Sequence, residues 1–238
     1  MKRRSGSSPS QLLITSVREV FSSAADPVKS GPMQAYMKSE LPFLGIQKKQ
    51  RSSLLAPVFR AHPVPSAEVW RATVLALFRE ARFREEWYAA LELLAASRYR
   101  NWLNLEAVSM CDSLICEGAW WDIVDEVATR RLGPLLLKER EALTPMFEAW
   151  ATDPNRWRRH ASVLVQLKHK GETDLQLLTH AIVANLDDPD FFLRKAIGWA
   201  LRELSKTNPR WVKEFIATHQ ERLSPLSRRE ALKYLGSG

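Results

Sequence analysis

Two stretches of this chain lie over one another at a stride of 35 residues: RRHASVLVQL, from Arg158 to Leu167, and LRKAIGWALR, from Leu193 to Arg202. Arg159 falls on Arg194 and Ala161 on Ala196. One stride further back brings Asp125 into the register of His160 and Lys195. A period in the mid-thirties suits a unit of two helices, and such a unit cannot bury its apolar side alone. It must stack on its neighbours, with the second helix of each pair lining a concave face. The repeat predicts an all-α fold, a HEAT-like α–α superhelix or solenoid.

The rest of the chain agrees with that class. Apolar residues recur at i, i+3, i+4 and i+7 in almost every segment, the spacing of amphipathic helices. SAEVWRATVLALFREA opens on Ser66, suited to an N-cap, with Glu68 in the first turn. REEWYAALELLAASRY, TDLQLLTHAIVANL and PRWVKEFIATH repeat the pattern, and breaks are expected at HPVP, GPLL, DP, KGET, DDPD and NP. Alternating β-branched runs are absent, so about a dozen helices are expected. Residues 1–10, MKRRSGSSPS, read as a flexible basic tail and 11–238 as a single repeat domain. No apolar h-region follows the basic start, and no run reaches the roughly 18 apolar residues of a membrane span. Cys111 and Cys116 fit neither a metal knuckle nor a disulfide framework, and read as buried thiols of a cytoplasmic protein.

Charge narrows the partner. Thirty-five Lys and Arg against 27 Asp and Glu give a net +8, which favours a polyanion, with nucleic acid first.

The segment GAWWDIVDEV, from Gly118 to Val127, sets two indoles beside two aspartates. An ordinary amphipathic helix would send Trp120 and Val124 to a core and Asp122 and Glu126 to solvent. Trp121 and Asp125 would then sit at the boundary. The repeat register argues for more. Trp121 precedes Asp125 by four residues and Trp199 follows Lys195 by four, so each shares a helix face with its polar neighbour. A core would not carry Asp, His and Lys at three equivalent positions, because buried charge must be paired. A solvated face would not carry two tryptophans. A ligand-facing patch of Trp121, Asp125, His160, Lys195 and Trp199 accounts for both.

WWDIVD, LVQLKHK, FFLRKAIGWALRELSKTNP and LSPLSRREALKYL resemble the AlkD family of DNA alkylation repair glycosylases, as do MQAYMKSELPFLGI and WYAALELL. The likeness runs from about Met33 to Leu235. It implies a HEAT-like superhelix that holds duplex DNA in a concave basic groove and excises N3- and N7-alkylated purines as free bases, without metal or cofactor. By motif, the catalytic aspartate is Asp125. Trp121 and Trp199 would flank the lesion's deoxyribose, and Tyr36 would lie near the lesion. The family's arginine beside the catalytic aspartate and the DNA backbone falls on His160. This departure bears on DNA binding and catalysis rather than on the fold. Arg159 is adjacent but about 100° round the helix, so it is no simple substitute, though it joins the candidate DNA contacts.

The chemistry is coherent with those residues. An N3- or N7-alkylated purine is cationic and already a good leaving group. What must be supplied is stabilisation of positive charge on the sugar, by a carboxylate and by the faces of two indoles. No general acid is needed, and in this class the base is not flipped into a pocket. Lys168 and Arg202 in the matching blocks, with Lys195, are candidate phosphate contacts. His62, His169, His180 and His219 are scattered and form no metal motif. The expected partner is double-stranded DNA carrying alkylated purines, bound by a monomer. The alternatives are a HEAT-like DNA-binding or lesion-recognition protein with lost or altered catalysis owing to His160, and, third, a protein-binding solenoid.

Overall fold

The structure is a computed structural model that describes residues 8–235. Among the described residues there are fourteen α-helices and no strand. The chain divides into two compact units, residues 1–103 and 104–238. Of the expected tail, residues 1–7 lie outside the described residues. Its last residue is ordered, because the Ser10 amide donates to Thr73 Oγ1 at 2.9 Å.

The first unit holds α1 (Gln11–Ser23), α2 (Pro27–Met37), α3 (Lys48–Ala61), α4 (Ala67–Arg79) and α5 (Arg84–Ala95). Ser66 caps α4 as its position suggests, its hydroxyl accepting from the Val69 amide. The core gathers Leu13, Phe21, Trp70, Leu77 and Leu93, all fully buried. A buried carboxylate fixes the loop that follows α2: Glu85 accepts from the amides of Leu44, Gly45 and Ile46. Gly45 has φ +86°, and a Cβ there would stand 2.1 Å from the Asp26 carbonyl oxygen. Only glycine fits.

The second unit holds α6 (Val108–Gly118), α7 (Trp121–Val127), α8 (Gly133–Lys138), α9 (Arg140–Trp150), α10 (Arg156–Leu164), α11 (Leu175–Val183), α12 (Phe191–Leu204), α13 (Pro209–Thr218) and α14 (Pro225–Ala231). Its stacking repeats the stride seen in the sequence. Asn185 Nδ2 donates to the Ala151 carbonyl, 34 residues away, and Arg156 pairs with Asp190 across 34. Arg222 pairs with Asp187 across 35, and Ser227 Oγ donates to the Arg194 carbonyl across 33. Each helix pair is thus tied to its neighbour one repeat on. The apolar faces of α10, α11, α12 and α13 share one core through Leu164, Ile182, Leu201 and Val212. At Gly198 of α12, a Cβ would meet Glu230 Cβ at 2.6 Å and the Ser227 carbonyl oxygen at 2.8 Å. This glycine lets α14 pack close.

One expected break is absent. GPLL does not end a helix: α7 runs through a π-helical turn, Ala128–Leu132, directly into α8. Pro134 has no N–H to give to the preceding turn, and the widened turn before it absorbs the missing bond.

Candidate functional site

The site is built on α7, which starts where Gly118, Ala119 and Trp120 turn the chain out of α6. Trp120 is extended, and its carbonyl accepts from the amides of Ile123 and Val124. Ile123, Val124 and Val127 are buried, so Trp121 and Asp125 share the half-buried side. Trp120 does not enter an aliphatic core. Its ring meets Phe192 edge-on at 5.4 Å between centroids and Trp157 at 6.4 Å, an aromatic cluster contributed by α10 and α12. Asp122 and Glu126, expected in solvent, are half-buried. Glu126 is held by Arg130 at 3.2 Å and by Arg131, both from the π turn.

The expected adjacency across the stride is direct. His160 Nε2 lies 2.7 Å from Asp125 Oδ1. The Asp125 side chain is 18% exposed and that of His160 only 5%. The ring is thus nearly enclosed, with Nε2 turned to the aspartate rather than to the surface, where a phosphate contact would need it. Thr129 Oγ1 donates to the Asp125 carbonyl at 2.7 Å, closing the backbone below it. Asn155 caps α10 through its side chain and so sets the helix that delivers His160. Arg158, two residues before His160, grips Asp112 of α6 with two bonds of 2.8 and 2.7 Å and Asp153 with a third. Those carboxylates hold its guanidinium firmly charged. Burial, with the same Asp112, pushes the Cys116 thiol up to about 11, and burial, outweighing Arg131, takes Cys111 to about 12. Cys116 is only half-buried, unlike the expectation for both thiols.

The other candidates divide into two groups. Lys195 is exposed on α12, with its Nζ 5.8 Å from the centroid of the Phe191 ring, which is itself 55% exposed. Trp199, one turn on, is half-buried against the core of this unit. Phe191, Lys195 and Trp199 follow at i, i+4 and i+8. That aromatic start of α12 was visible in FFLRKAIGW but was not singled out. Lys168 is exposed too, though it sits in the turn after α10 rather than on a helix. Two arginines are committed inside the protein. Arg159 donates to Asp188 at 2.9 Å and to the carbonyls of Asp153 and Pro154, and Arg202 pairs with Glu230 at 2.7 Å. Tyr36 lies on α2 of the first unit and is 78% exposed. Among the described residues, no group of three or more His, Cys, Asp or Glu could hold a metal ion, and no helix is long and apolar enough to cross a membrane.

The sequence model of the family described as DNA alkylation repair enzyme matches residues 17–235. The chain belongs to that family. A solved structure described as a predicted DNA alkylation repair enzyme from Enterococcus faecalis is similar at 32% identity and a TM-score of 0.80. The match covers 90% of this chain and 98% of that one. No curated protein matches. The match to the DNA alkylation repair family takes in Tyr36 and every candidate residue of the second unit. The α–α superhelical class read from the repeat is therefore the fold of this family member.

Proposed function

We propose that the protein is a DNA glycosylase that excises N3- and N7-alkylated, cationic purines from duplex DNA. The observation that carries this reading is the Asp125 carboxylate. One oxygen is held by His160, and the group is partly exposed on the helix side that also carries Trp121. As the N-glycosidic bond lengthens, its electron pair moves onto the purine and cancels that ring's charge. Positive charge appears on the deoxyribose instead. Asp125 stabilises that cation and orients the water that adds to C1′ and loses a proton. Trp121 and Trp199 offer indole faces to the same charge, worth on the order of 0.5–2 kcal/mol each. No base flipping and no cofactor enter the scheme. Lys168 and Lys195 of the second unit and Tyr36 of the first would contact the duplex. A cytoplasmic monomer suits this role.

Incubation with duplex DNA carrying N7-methylguanine should release the free base, and a duplex left intact would overturn the proposal. One observation favours a second reading, in which a repair-family protein recognises lesions without excising them. Burial of His160 keeps the side chain at the family's arginine position away from DNA. Tight binding to the modified duplex without base release would decide for it.

A further inference from the structure

His160 is nearly enclosed, and its two ring nitrogens differ. Nε2 faces Asp125, whereas Nδ1 is buried without a hydrogen-bond partner. Trp157 stands edge-on to the ring at 5.5 Å between centroids and packs in turn on Phe192. A proton on Nδ1 would sit among aromatic rings with no acceptor, at the full cost of its desolvation. A proton on Nε2 has the carboxylate. The tautomer that fits is the uncharged Nε2–H imidazole. It donates to Oδ1 and leaves Oδ2 for a second partner.

We infer that His160 is a positioning residue, whose Nε2–H donates to Asp125 Oδ1 and keeps the carboxylate oriented toward the sugar. The inference rests on the glycosylase reading above. With an uncharged imidazole the pair is net negative toward the sugar cation. The neutral donor thus orients the carboxylate without placing a like charge behind it.

Among the described residues, Asp125 is the one charged partner found for the ring. Several charges on elements packed against α10 have partners of their own. Asp112 of α6 holds Arg158 and Cys116, and Arg130 and Arg131 of the π turn hold Glu126. His180 of α11 meets the Glu148 carbonyl of α9. On α12, Arg194 donates to the Asp188 carbonyl, Arg202 pairs with Glu230, and Lys195 lies over Phe191.

The test pairs kinetics with spectroscopy on the full chain. Single-turnover release of 7-methylguanine should fall about tenfold in His160→Ala, with duplex affinity unchanged. His160→Gln, which keeps a donor for Asp125, should recover most of the wild-type rate. The 15N spectrum of the wild-type imidazoles should show His160 protonated at Nε2 and bare at Nδ1, and Asp125→Asn should move that resonance. The inference is overturned if His160→Ala excises at the wild-type rate, if its loss of rate follows loss of DNA binding, if His160→Gln recovers nothing, or if the proton sits on Nδ1. Absence of base release by the wild type would instead refute the glycosylase reading and the catalytic half of this inference. The spectrum would still decide the pairing.

Discussion

Ala119 holds φ 41°, in the left-handed region, to end α6 and turn the chain into α7. A Cβ in that region is strained, and glycine is the usual residue there. Ala119→Gly should raise the unfolding free energy by about 1 kcal/mol, read from the denaturant midpoint. A midpoint that falls would mean that the methyl group's contacts outweigh the strain. At this scale the sequence was informative where the repeat register applied and silent elsewhere. The register paired Asp125 with His160 because equivalent positions on stacked helices are neighbours. It could not show that the ring is enclosed, since that depends on Trp157 and on how tightly α7 and α10 approach. Nor could it show that Arg159 and Arg202 are spent on Asp188 and Glu230, because each partner comes from a different part of the repeat.

The rod formed by α7, the π turn and α8 is held at two points, by His160 at Asp125 and by His169 at Gly133. His169 Nε2 lies 2.9 Å from the Gly133 carbonyl oxygen across 36 residues, one repeat. A Cβ on Gly133 would meet the Val165 carbonyl oxygen at 2.6 Å, so this crossing is close. Burial holds the His169 imidazole below its ordinary range. Its folded value is thus depressed: the stability it contributes is present above the unfolded value near pH ~6.5 and is lost as pH falls below it. The thermal midpoint should decline between about pH 7 and about pH 5, above the range in which carboxylates titrate. His169→Gln should remove part of that decline, and a variant curve parallel to the wild type would contradict the assignment. Gly and Pro at GPLL read as a break because both usually punctuate helices. A π turn carries no composition signal of its own, and it is set here by the contacts of Gly133 with the next repeat.

Over the whole molecule, the helical period and the repeat were legible because each unit must present an apolar side to the next, and that requirement is written into residue spacing. The division at Leu103 was not, because helical periodicity continues on both sides of it. Net charge was equally plain at +8, but its availability was not, since many arginines serve internal ion pairs. Affinity for undamaged duplex should fall steeply with salt. Lys168→Ala and Lys195→Ala should each reduce the slope of log K against log salt by about one. Arg159→Ala should leave the slope unchanged and lower stability instead, and equal slopes for all variants would show that the lysines do not face DNA. The central claim is that Asp125 supplies the electrostatic stabilisation for base excision. Its most direct test is single-turnover release of 7-methylguanine from duplex DNA by wild type and by Asp125→Asn, with fold and duplex affinity checked in parallel. The account predicts a rate lower by roughly 10²–10³ at undiminished binding, and an Asn variant that is folded, binds DNA and excises at the wild-type rate would contradict it.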